Sequence, residues 1–191
     1  MPIPAMLRIR SWCLRLGLLV GLPLILSRPV GLGAEGPQEY QVKGAMVFNM
    51  AKYVEWPADA FSGSGAPLVF CSVGRGPFAA ALEQYRGKTV LGHPLVVRRL
   101  QTGEELGECH LLVVSGIEKR YLAGILDQAR RRSVLTVSDL PDFARQGGII
   151  GLVEHEGRVR FEINVKAAQQ SRFKISSQLL KLAKIVREGD S

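Results

Sequence analysis

The chain is predicted to be an α/β protein: one domain on a mainly parallel sheet, with a C-terminal antiparallel hairpin and a C-terminal helix. Three observations predict it. Short apolar runs bounded by Gly and Pro alternate with amphipathic stretches over residues 68–137. A clean period-two pattern follows over residues 159–165. Of the 191 residues, the first 34 read as an export signal, and the remainder is long enough for one domain with a real core.

The signal reading rests on order. Arg8 and Arg10 form a basic head, Leu16 to Leu26 is almost wholly apolar, and Gly31-Leu32-Gly33-Ala34 offers small residues for cleavage. The apolar run is about half of the roughly 20 residues a spanning helix needs, and Pro23 interrupts it. Residues 1–34 are therefore expected to leave as a secretory signal peptide, taking Cys13 with them, and residues 35–191 to form the mature exported domain.

The elements follow in order. Val42, Met46, Met50 and Tyr53 recur at helical spacing, with Val47, Ala51 and Val54 alongside, which predicts a buried helix over about 38–55 that Trp56-Pro57 ends. Leu68 to Val73 is a short apolar run, the mark of a strand covered on both faces. Pro77 opens a helix carrying Phe78, Leu82 and Tyr85 on one side. Leu95-Val96-Val97, Leu111 to Val114 and Val134 to Val137 are further strands. Between the last two, Tyr121, Leu122, Ile125, Leu126 and Ala129 mark an amphipathic helix. Ile149–Val153 and Val159–Val165 flank a hairpin turn at Glu156-Gly157. A final helix is expected from about Ser176 to Arg187, capped by Ser176 or Ser177 and packing through Leu179, Leu182 and Val186.

Charge excludes one class. The whole chain carries a formal +8, but four of its 25 basic residues are arginines of the signal, and no acidic residue lies there. The mature chain has 21 basic and 17 acidic residues, close to balance. Arg130-Arg131-Arg132 closes a predicted helix, where cations complement the dipole. Nucleic-acid binding, which needs a clustered basic face, is not expected.

Two cysteines remain after export, Cys71 and Cys109, in an oxidising compartment. One bridge between them is the favoured reading, closing a loop worth about 4 kcal/mol in the chain-entropy model. Two separate buried thiols are the alternative. His93, His110 and His155 show no metal-ligand spacing, so no metal is expected. His110, beside a bridged cysteine, reads as structural.

Gly74-Arg75-Gly76-Pro77-Phe78-Ala79 has the form of a dinucleotide-binding turn, and Arg98-Arg99 ends the next strand. Pro77 lacks the N–H that a phosphate would want, so a plain turn is the reading and no cofactor is expected. Arg75, Ser115, Ser138 and Asp139 leave the carboxyl ends of strands, where open α/β sheets form a ligand crevice. They are the candidate ligand or partner crevice. Neither serine has an evident histidine base, and no catalytic residue is assigned. Arg158, Arg160, Glu162 and Asn164 alternate with the apolar residues of the last hairpin arm. They read as a solvated polar face, with a partner surface as its second use.

The chain resembles the YfiR family of periplasmic regulatory proteins. The segments that carry the resemblance run from Val42-Lys43-Gly44-Ala45 and Tyr53-Val54-Glu55-Trp56-Pro57 through Cys71-Ser72-Val73-Gly74, Gly87-Lys88-Thr89-Val90 and Cys109-His110. They continue through Leu135-Thr136-Val137-Ser138-Asp139, Gly147-Gly148-Ile149-Ile150, Arg158 to Asn164, and Ile175 to Ala183. The resemblance implies a Rossmann-like, three-layer domain with a disulfide at Cys71 and Cys109. It implies a non-catalytic regulator that represses an inner-membrane diguanylate cyclase through the cyclase's periplasmic part. Some relatives carry a second cysteine pair near Gly147-Gly148, which this chain lacks. The alternative is a periplasmic small-molecule binding module acting with another membrane protein. A homodimer is kept open as a further partner.

Overall fold

The computed structural model describes residues 36–117 and 119–189. The expected export signal, residues 1–34, lies outside them. In chain order the elements are α1 (Pro37–Met50), a 3-10 turn (Ala51–Tyr53), β1 (Val54–Glu55), β2 (Leu68–Gly74), α2 (Phe78–Glu83), β3 (Thr89–Val90) and β4 (His93–Leu100). Then come β5 (Leu111–Ser115), α3 (Lys119–Arg131), β6 (Leu135–Ser138), β7 (Ile150–His155) and β8 (Arg158–Asn164). The chain closes with α4 (Val165–Gln170), β9 (Lys174–Ile175), α5 (Ser177–Leu180) and β10 (Lys184–Val186).

Eight strands form one sheet in the order β10-β8-β7-β6-β5-β2-β4-β3. All neighbours are parallel except β7 with β8 and β3 with β4. This is the expected α/β class. Side chains alternate across a strand, so β2 feeds two cores. Leu68 and Phe70 join Val113, Val137 and residues of α1, α2 and α4 on one face. Val69, Cys71 and Val73 join Leu112, Val114 and residues of α3 on the other. Helices on both faces make three layers. Cys71 in β2 bonds Cys109, two residues before β5, with the Cα atoms 5.8 Å apart.

Three expectations shift. The first helix ends at Met50; of the expected apolar arc Val47, Met50, Ala51 and Val54 are buried, but Val42 and Tyr53 are exposed, and Tyr40, Lys43 and Gly44 take the buried side instead. Gly44 lets α1 approach α2 closely, since a Cβ there would sit 2.9 Å from the Ala81 carbonyl oxygen. A glycine and a lysine are invisible to an apolar-periodicity reading, which is why that edge of the stripe differs. The last helix is one turn, capped by Ser176, whose hydroxyl accepts from the Leu179 N–H at 3.2 Å. Beyond it β10 lies parallel to β8, Ile185 opposite Ile163, so pairing with the sheet edge overrides the helical pattern. Leu182, assigned to the packing stripe, is 75% exposed. The third shift is an addition: β3 and β4 form a hairpin, and β1 pairs antiparallel with β9.

The polar face of β8 divides. Arg158 and Arg160 are exposed, but Glu162 and Asn164 are buried, which corrects the reading of one solvated face. Glu162 meets the Arg145 guanidinium at 3.1 Å and Lys184 Nζ at 3.2 Å. Asn164 caps α4: its Oδ1 accepts from the Ala167 N–H at 2.9 Å while its Nδ2 donates to the Ala144 carbonyl at 2.8 Å. Asn164→Ala is expected to cost about 2 kcal/mol, one cap plus a buried orphaned carbonyl. A urea midpoint unchanged from wild type would show that neither bond stabilises the fold.

Candidate functional site

Strand order places the site. From β2 the chain crosses through α2 to β4 on one side, then returns to β5 on the other. The carboxyl ends of β2 and β5 therefore diverge at a topological switch point, where open α/β sheets form a crevice. Gly74 (φ +99°) and Gly116 (φ +58°) cross there. A side chain on Gly74 would run into the Ser115 carbonyl, and one on Gly116 into the Arg75 carbonyl. Only glycine fits both the conformation and the space.

On the α1 face this crevice is filled. Lys43 of α1, 3% exposed, reaches Asp139 Oδ2 at 3.2 Å and Glu39 Oε1 at 2.9 Å. Its ammonium also stands 4.5 Å from the centre of the Tyr40 ring. Ser115 Oγ donates to Asp139 Oδ1 at 3.0 Å. Ser138 is fully buried: its hydroxyl donates to the Val114 carbonyl and accepts from the Leu140 N–H at 3.0 Å. The structure thus joins Ser115 and Asp139 around Lys43 and turns Ser138 onto backbone. Arg75 alone of the four faces solvent. Lys43 was missed because a lysine on a predicted helix reads as solvated; the buried carboxylate it meets lies 96 residues away.

The opposite end of β5 holds a second cluster. His110 accepts at Nδ1 from the Val69 N–H (3.1 Å), so its proton sits on Nε2, which donates to the Ala60 carbonyl at 2.7 Å. Phe61 stacks between His93 and His110, with centroids at 3.8 and 4.9 Å. Trp56 meets Phe61 edge-on. These contacts hold both flanks of the Gly- and Ser-rich stretch Ser62-Gly63-Ser64-Gly65. A hollow of about 380 Å³ lies alongside, lined by Asp59, Phe61, His110 and Arg172 among others.

Burial pushes the His110 imidazole below its ordinary value; the Ala60 hydrogen bond opposes this, His93 adds to it, and Glu108 opposes. The native state therefore resists a proton that the unfolded chain accepts below about pH 6.5. Stability is expected to be fully present above that pH and to fall as pH drops through it, levelling off below the folded-state value. Urea midpoints taken from about pH 7.5 to 5.5 should slope more steeply in wild type than in His110→Asn. Equal slopes would remove His110 from the effect.

Among the described residues, no group of three or more His, Cys, Asp and Glu side chains is placed to hold a metal. Nor, among them, is any helix long and apolar enough to cross a membrane. Fold and site define the class first: an α/β domain of parallel-sheet type, stapled by one disulfide. A conserved domain protein from Vibrio cholerae shares this fold with a TM-score of 0.52 at 12% identity, covering 76% of this chain and 59% of that one. The ABC domain from Streptococcus pneumonia, solved with L-Trp, matches at a TM-score of 0.49 and 12% identity over 77% of this chain and 60% of its own. The chain spans about three fifths of the length of both structures.

The chain belongs to the YfiR/HmsC-like family, whose model matches residues 40–184.

Proposed function

We propose that this protein is a non-catalytic periplasmic regulator that represses a membrane-bound diguanylate cyclase by binding the cyclase's periplasmic domain. The family match across residues 40–184 is the observation that carries the reading. Two features support it. The disulfide suits an oxidising compartment. The serines and aspartate of the crevice are engaged with Lys43 and backbone, without a histidine partner among the described residues.

Repression of this kind is an equilibrium shift. The regulator binds the inactive state of the cyclase more tightly than the active one, and only that difference does work. A near-complete switch needs a preference of about 10⁴-fold. Arg158 and Arg160, exposed at the hairpin, are the contact candidates.

Deleting the gene is expected to raise intracellular cyclic di-GMP, and re-expressing the full chain to restore it. Unchanged levels in a strain shown to contain an active membrane cyclase with a periplasmic domain would reject the proposal. Arg158→Glu with Arg160→Glu should lose repression while the protein accumulates and melts normally.

A further inference from the structure

Two hollows meet at the carboxyl edge of β2, β4 and β5, on the open side of the switch point. One, of about 520 Å³, is lined by Gly74, Arg75, Arg99 and Thr102 among others. The other, of about 420 Å³, shares Gly74, Arg75 and Thr102 and adds Gly116 and Tyr121. The two hollows adjoin at Gly74, Arg75 and Thr102, and together they are called the trough.

Its charge is not neutralised from within. Arg86, Arg131, Arg145 and Arg172 each sit against a carboxylate. Arg75 and Arg99 are exposed, and neither has a carboxylate partner among the described residues. Of the acids in the adjoining loop, Glu104 accepts from the Gln101 N–H at 2.8 Å and Glu105 faces Arg132. Ser72, in register with Arg99, keeps a buried hydroxyl with no partner. The floor is bare because Gly74 and Gly116 admit no side chain.

We propose that this trough binds a small molecule bearing an oxyanion, phosphate or carboxylate, gripped by Arg75 and Arg99. A concave site with guanidinia of one sign focuses potential and attracts anions. The guanidinium fork matches the oxygen spacing of both groups. Thr102 adds a hydroxyl donor and acceptor, and the exposed Tyr121 ring adds an apolar wall. The Lys43–Asp139 pair takes no part, and neither does the proposed cyclase, so binding is measured on the exported protein alone.

The test is an amide NMR titration at low ionic strength, with inorganic phosphate and, separately, with citrate. Saturable shifts at Gly74, Gly76 and Gly116 are expected. Arg75→Gln and Arg99→Gln should each weaken binding about tenfold, the loss of one charge-assisted contact, and the double variant should abolish it. Lys181→Gln, an exposed charge just before edge strand β10, should bind as wild type. Response to phosphate alone identifies a phosphorylated ligand; response to citrate alone, a carboxylate; response to both supports the shared oxyanion chemistry. The proposal is overturned by no saturable shift with either probe, by a folded double variant that binds as wild type, or by Lys181→Gln weakening binding as much as Arg75→Gln. All three positions are exposed, and a thermal melt of each variant confirms that the fold is intact.

Discussion

Replacing both Cys71 and Cys109 with serine is expected to destabilise the protein by about 4 kcal/mol. The bridge spans 38 positions, so in the chain-entropy account it removes a large loop from the unfolded ensemble. Both cysteines are also buried, among Val69, Leu106, Leu112, Leu126 and Val134, and serine would bring a hydroxyl into that cluster. Such a loss is a large part of the roughly 5–15 kcal/mol that keeps a domain folded. Urea unfolding of the exported protein, with and without reductant, measures it. Wild type under reductant should approach the double variant. If the oxidised wild type and the variant share one midpoint, the bridge contributes nothing.

Asp139→Asn is expected to cost about 3 kcal/mol, because it strands a buried ammonium. Lys43 and Asp139 are 3% and 7% exposed at the side chain, too dry for water to replace the lost partner. Glu39 remains at 2.9 Å, which holds the effect at the lower end of what breaking a buried pair costs. Removing both charges differs from removing one. Lys43→Met with Asp139→Leu takes away the attraction and the desolvation cost together, so it should recover much of the loss. A double-mutant cycle read by urea midpoints isolates the coupling. Single and double variants falling by equal amounts would mean the ion pair does not couple α1 to the sheet.

The Lys43–Asp139 pair also shapes the crevice. In this domain the α1 side of the switch-point crevice is closed by its own side chains, with Ser115 and Asp139 turned inward. The open side carries Arg75 and Arg99. A residue set that looks like one crevice along the chain is two environments in space, one structural and one accessible.

Much of the architecture is legible in the residue order. Leu68–Val73 and Leu111–Val114 are apolar at every position but Ser72, and such runs are stable only where both faces of a strand are covered. The alternation from Arg158 to Val165 requires one packed face, and the turn at Glu156-Gly157 sets the hairpin. A bridge between the two cysteines expected to remain after export follows from the expected compartment and the count. Other features needed the folded chain. Val42 and Tyr53 look like core on the helical wheel, yet the stripe that packs runs through Lys43 and Gly44. Its logic is a distant carboxylate and a close helix, neither of which local order reveals. Residues 184–186 carry a helical pattern but pair as a strand, because β8 offers an open edge whose backbone groups need partners. Glu162 and Asn164 alternate like solvated residues, yet they are buried because Arg145, Lys184 and the start of α4 reach them. Patterns within one segment report which side of it must be dry; which partner covers that side, and which polar groups go in with it, depends on segments that meet only after folding.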